Sequence, residues 1–294
     1  MDKPIIALMY DFDNTLSVKN MQDYSFIPSL GYDSGTFWKK CNEFKDKYSM
    51  DQILAYMYFM VDEAKKRNIK ITEENLNEMG KNITFFKGVE SWFGRINKYG
   101  DKKGFDVKHY IISSGLKEII AGSKIFNCFD QVYAARFLYG ENGEAIWPAV
   151  SINYTQKTQY IYRINKGVES ETDDKNLNEH MDESQKRVPF NRMIYFGDGM
   201  TDVPSMKSVK LGGGYSIAVY NDEDEKNMYT VDKLMEYNRC DFACRSDYSE
   251  DSPLEKVVFT IIDKIASEYE YGELKNEYTK AESGIDQLVF DISN

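Results

Sequence analysis

The run Ile5-Ile6-Ala7-Leu8-Met9-Tyr10 carries no charge and ends on two carboxylates, Asp11 and Asp13, and this junction constrains the fold more than any other feature of the chain. Six apolar residues before a turn read as a buried strand. Ionised acids at the end of such a strand are costly unless something cationic or reactive meets them. In extended chain, residues two apart point to one side. Asp11 and Asp13 can therefore face one ligand from the carboxyl edge of a parallel sheet, where open α/β folds place their sites. Read by themselves, the two acids fit a plain turn equally well.

Composition narrows the field. A chain of 294 residues, 42% hydrophobic, with 17 Phe and 22 Tyr, has ample core for one large domain or two small ones. Its net charge of −11 argues against nucleic acid and anionic membrane as partners, since phosphate binding needs clustered Lys and Arg. No apolar run approaches the roughly 18 residues a membrane helix needs. No secretory leader is expected either, because Asp11 interrupts the first apolar stretch. The four cysteines, Cys41, Cys128, Cys240 and Cys244, are scattered and lack the second pair or nearby His of a zinc site, which fits a reduced, cytoplasmic setting. Only two histidines exist, His109 before an apolar run and His180 in a charged stretch. A Ser-His-Asp or Cys-His mechanism has little material here, and carboxylates remain.

Beyond the acid pair the periodicity turns helical. Residues 17–86 read as a compact helical insert, with Thr72-Glu73-Glu74-Asn75 opening one of its helices. Strand and helix then alternate: a helix at 89–99, a strand at 107–112 stopping at Ser113-Ser114-Gly115, a helix from 116 and a strand at 131–135. Gly140-Glu141-Asn142-Gly143 signals a hairpin turn. A helix at 154–165 carries Lys157, the charged stretch 166–187 reads as a solvated loop with a short helix, and a strand at 191–196 ends at Gly197-Asp198-Gly199. Further strands are expected at 216–219 and 241–244, and Ser252-Pro253-Leu254-Glu255 caps a helix at 257–265. The alternation predicts an α/β fold, a doubly wound, mainly parallel sheet with helices on both faces.

Gly197-Asp198-Gly199-Met200-Thr201-Asp202 is the most specific segment. Its glycines permit a tight strand-to-helix turn and close approach by a ligand. Asp198 and Asp202, four apart at a helix start, share a face, although acids there also serve as caps. In motif order, Asp11-Phe12-Asp13-Asn14-Thr15, Ile111-Ile112-Ser113, Lys157 and Gly197 to Asp202 together resemble the haloacid dehalogenase superfamily, specifically its magnesium-dependent phosphatases with a helical cap after the first motif.

The resemblance implies a catalytic core at 1–16 and 87–294, Rossmann-like, with a small all-helical cap at 17–86. It implies Mg2+ held by the Asp11 carboxylate, the Asp13 backbone carbonyl and Asp198, with Asp202 orienting a metal water or Lys157. Asp11 is then the nucleophile that forms an aspartyl-phosphate, and Asp13 the acid and base. Ser113, with Ser114 and Gly115 beside it and Thr15 in the first motif, would bind phosphate. Lys157 would stabilise charge, in competition with Lys166. The implied activity is hydrolysis of a small phosphorylated metabolite. A phosphotransferase or phosphomutase shares the acid pair, and a catalytically silent binding protein would keep the fold. By layout the chain resembles phosphoserine phosphatase, yet Asn20 stands where that enzyme carries a Glu for the substrate amine. Asn20, Tyr24, Tyr56, Tyr58 and Phe59 are the residues expected to shape the substrate pocket.

Overall fold

In the computed structural model, residues 3–292 are described. The first apolar run is a strand, β1 (Ile5–Tyr10), followed in sequence by β2 (Asp106–Leu116), β3 (Gln131–Tyr139), β4 (Ala145–Val150), β5 (Met193–Gly197), β6 (Tyr215–Tyr220) and β7 (Phe242–Arg245). They form one sheet in the order β4-β3-β2-β1-β5-β6-β7. All pairs are parallel except β3 with β4, which the turn at 140–143 folds into an antiparallel hairpin. The order reverses between β1 and β5, the switch point where a crevice opens outside the strand ends. Register sets the site there: Tyr10 pairs with Ile111 on one side and Phe196 on the other, so three strands reach the same edge nearly level.

Alternation along β1 splits the core between the two faces. Ile6, Leu8 and Tyr10 pack with Trp92, Phe196, Tyr248 and Ile262, whereas Ala7 and Met9 pack with Tyr110, Ile161, Tyr195 and Met206. The first face is covered by α5 (Val89–Lys102) and α11 (Pro253–Ile292), the second by α7 (Lys157–Lys166), α9 (Val203–Leu211) and α10 (Glu225–Glu236). Between β1 and α5 the chain is helical: α1 (Phe26–Ser29), α2 (Ser34–Tyr48), α3 (Gln52–Lys66) and α4 (Glu73–Gly80). Asp33, Asp51 and Thr72 supply the N-caps of α2, α3 and α4 through side-chain oxygens that accept backbone N–H groups.

Three expectations need adjusting. β2 runs on through Ser113-Ser114-Gly115 to Leu116, with a register shift against β3 between Ser113 and Leu116. Within this irregular stretch the Gly115 N–H donates to Ser113 Oγ at 3.0 Å. The last helix spans Pro253–Ile292, well beyond 257–265. The charged stretch 166–187 does contain a short helix, α8 (Asp174–Asn178), but it is anchored rather than merely solvated, as its contacts with buried Arg163 show. Among the described residues no helix is long and apolar enough to cross a membrane.

Candidate active site

Asp11 sits one residue past β1, 7% exposed, its N–H continuing the pairing to Phe196 O at 2.9 Å. One carboxylate oxygen accepts the Phe12 N–H at 2.7 Å and the other lies 2.8 Å from Lys157 Nζ. The chain then turns sharply through Asn14, at φ 56, a left-handed conformation that asparagine tolerates better than most residues. The turn carries Asp13 back over the site, where its Oδ1 accepts the Met21 N–H at 2.8 Å. Gly115 makes room on the β2 side: a Cβ there would lie 2.1 Å from Met21 Cε and 3.2 Å from Asp13 Oδ2.

The end of β5 is built around a similar close approach. A Cβ on Gly197 would stand 2.4 Å from Asp202 Cγ, so only glycine lets the Asp202 side chain fold beneath the strand end. Asp202 is wholly buried, and its Oδ1 accepts from Lys157 Nζ and from Tyr195 OH, each at 2.8 Å. Asn227, from α10, donates to the Asp198 carbonyl at 3.1 Å and reaches its carboxylate at 3.4 Å. One carboxylate oxygen each from Asp11, Asp198 and Asp202 lies within 4.8 Å of the other two.

Lys157 opens α7 with no solvent exposure and bridges Asp11 and Asp202. Lys166, nine residues further along the same helix, is engaged elsewhere: its ammonium donates to the carbonyls of Leu177 and Glu179 at 2.6 Å. Burial raises the Asp11 carboxyl to about 6, with Lys157 opposing the rise and Asp202 adding to it. Burial and then the Asp11 charge push Asp13 well above the usual carboxylate range. Asp198 is raised likewise, by burial, then Asp202 and Asp11. Burial alone would lower Lys157, yet Asp11 and Asp202 hold it well above its ordinary value. Three converging carboxylates against one ammonium leave unbalanced negative charge. An all-oxygen donor set of that kind suits a hard divalent cation such as Mg2+.

A cavity of about 340 Å³ opens above these acids. Of the residues singled out in the sequence, Asp11, Asp13, Asn20, Ser113, Ser114, Gly115, Asp198 and Tyr56 line it, while Lys157 and Asp202 lie in the layer beneath. Thr15 is not on its wall. It is wholly buried below, its carbonyl accepting Tyr248 OH at 2.8 Å, because the chain has already turned inward after Asn14. Helical phase removes two of the expected aromatics. Tyr58 points outward and stacks on Phe44, ring centroids 5.2 Å apart, and Phe59 packs on Phe37 between α2 and α3. Tyr24 is held aside by Thr84 O, to which its hydroxyl donates at 2.9 Å. The walls include several residues that the sequence did not single out, namely Gln22, Trp38, Asn42, Gln52 and Tyr154. None belongs to a motif; a helical phase for α2 and α3 would have offered Trp38, Asn42 and Tyr56 as neighbours on facing helices.

Known proteins resemble this arrangement. A match to the haloacid dehalogenase-like hydrolase family spans residues 8–207. An uncharacterized protein from Borreliella burgdorferi is 26% identical over 267 residues, covering 81% of this chain and 92% of that one. Among solved structures, a HAD family hydrolase from Salmonella enterica serovar Typhi superposes with TM-score 0.52 at 17% identity, covering 74% of this chain and 63% of that one. A phospho-aspartyl intermediate analogue of phosphoserine phosphatase gives TM-score 0.53 at 15% identity, covering 87% and 98%. A probable phosphoserine phosphatase from Vibrio cholerae gives 0.55 at 11%, covering 90% and 67%. At such identities the structural likeness speaks for the fold. The family match, spanning most of the chain and all the acids at the strand ends, speaks for ancestry: the chain belongs to the haloacid dehalogenase-like hydrolases.

Proposed function

We propose that the chain is a Mg2+-dependent phosphomonoester hydrolase acting on a small phosphorylated metabolite through an aspartyl-phosphate on Asp11. Residues 17–86 form its helical cap over a core of 1–16 and 87–294. The observation that carries this reading is Lys157 bridging Asp11 and Asp202 at 2.8 Å while the Asp198 carboxylate converges on the same point, at the floor of a cavity walled by Ser113 and Asp13.

In this scheme an Asp11 oxygen attacks phosphorus as the bond to the leaving oxygen breaks. Lys157 and the Phe12 N–H fix the carboxylate for attack. Asp13, whose proton affinity is raised by burial and by the Asp11 charge, gives its proton to the leaving oxygen. The resulting Asp13 carboxylate then takes a proton from water, which attacks phosphorus, releases inorganic phosphate and restores Asp11. Ser113 Oγ and the Ser114 N–H would meet the phosphoryl oxygens. Asp11, Asp198 and the Asp13 carbonyl would hold Mg2+, with Asp202 behind them, and the ion would screen the phosphate from the acids.

Turnover of p-nitrophenyl phosphate with Mg2+, with and without chelator, tests the reading. Chelation should abolish activity, and Asp11→Asn should lower kcat at least about 10³-fold, since an amide is a poor nucleophile. A variant within a few-fold of the parent would contradict it.

A further inference from the structure

The upper walls of the cavity differ in kind from its floor. Among the residues facing the space where the organic half of an ester would sit are the carboxamides Asn20, Gln22, Asn42 and Gln52 and the rings Trp38 and Tyr56. Among the described residues, none that is charged lines the cavity besides Asp11, Asp13 and Asp198. An ester bearing a carboxylate would bring a second anion toward those acids with no Lys or Arg on the wall to receive it. An ester bearing an ammonium would find no acid there except those that serve the phosphate. Carboxamides, which donate and accept together, match hydroxyl groups, which do the same.

Gln22 stands on this wall while only 2% exposed. The residue is also well placed to report to the chemistry. It follows Met21, whose N–H holds Asp13 at 2.8 Å, on the short turn Met21–Asp23. The neighbouring walls are fixed in advance: Trp38 Nε1 donates to Asp23 at 3.2 Å and Tyr56 OH donates to the Ser114 carbonyl at 2.8 Å. At about 340 Å³ the cavity lies at the small end of the roughly 300–1,000 Å³ spanned by ligand sites, enough for one ring or a short chain.

We infer that the substrate is an uncharged, hydroxyl-bearing phosphomonoester, a sugar or polyol phosphate, and that Gln22 is a specificity-determining residue because it keeps this wall neutral. The inference rests on the phosphatase reading above and adds the substrate class to it.

Values of kcat/KM with Mg2+ for glycerol, ribose and glucose phosphates are set against those for phosphoserine, phosphoethanolamine and phosphoglycerate, with p-nitrophenyl phosphate alongside. The best uncharged polyol ester should exceed every member of the second group at least about tenfold. Turnover of p-nitrophenyl phosphate with a flat panel, or with a member of the second group preferred, overturns the inference and leaves the phosphatase reading standing. No turnover of any ester overturns both. Gln22→Glu should raise the ratio of phosphoethanolamine to polyol ester at least about tenfold, by placing an anion where a neutral amide stood. Asn42→Asp, at an exposed position that folding tolerates, should move the ratio the same way. Unchanged ratios in the folded variants would overturn the assignment.

Discussion

His109 shows how an ionisable side chain far from the chemistry is kept neutral. It lies 1% exposed within β2, its Nδ1 accepting from Tyr10 OH at 3.1 Å and its Nε2 donating to Asn97 Oδ1 at 2.8 Å. Tyr10 in turn accepts from Trp92 Nε1 at 3.0 Å. That chain of bonds fixes one tautomer and leaves no acceptor for a second proton. Burial, with a smaller contribution from Lys108, depresses the imidazole from 6.5 to about 3. The unfolded chain therefore binds a proton below about 6.5 that the folded chain refuses until about 3, so stability is lost as pH falls through that window. At 1.36 kcal/mol per unit the full span is worth on the order of 5 kcal/mol. Denaturant midpoints between pH 7 and pH 4 should fall more steeply for the parent than for His109→Gln; identical slopes would show that His109 does not carry this dependence.

Among the elements, α7 does two jobs that local sequence hides. Its first residue, Lys157, meets the acids, and six residues later Arg163 organises the charged stretch that follows. Arg163 is 1% exposed; its guanidinium donates to the carbonyls of Ser170, Glu171 and Asp173 and to Asp174 Oδ1, at 2.6, 3.1, 3.3 and 2.7 Å. Arg163→Met should leave those acceptors unmatched and cost roughly 2–4 kcal/mol. Limited proteolysis should then cut first within 168–182; a variant as resistant as the parent would contradict this. The contrast with the motifs is physical. Asp11, Asp13 and Asp198 announce themselves because each stands at the end of an apolar run, where an acid is out of place, and Asp202 because it follows Asp198 by four residues. Lys157, Arg163, Tyr195 and Asn227 occupy ordinary local sequence, and only the tertiary fold gives them partners. Lys157 was legible solely through motif order, and Tyr195 and Asn227 not at all. The helical insert was legible as a block, but which of its aromatics face the cavity depends on helix phase, which put Tyr56 inside and Tyr58 outside.

For the whole molecule, register does what no single motif can. β1 pairs level with β2 and β5 across the switch point, so acids almost two hundred residues apart meet at one sheet edge, and α7 delivers one ammonium between them. One lysine does not neutralise Asp11, Asp198 and Asp202, and the remainder of the charge defines what the crevice should attract. Calorimetric titration of the purified parent and of Asp198→Asn with Mg2+ measures that attraction directly. The account predicts one site per parent chain and at least about tenfold weaker binding in a folded Asp198→Asn. A parent that binds no Mg2+, or a variant that binds it as tightly, would contradict the claim that these carboxylates form a cation site.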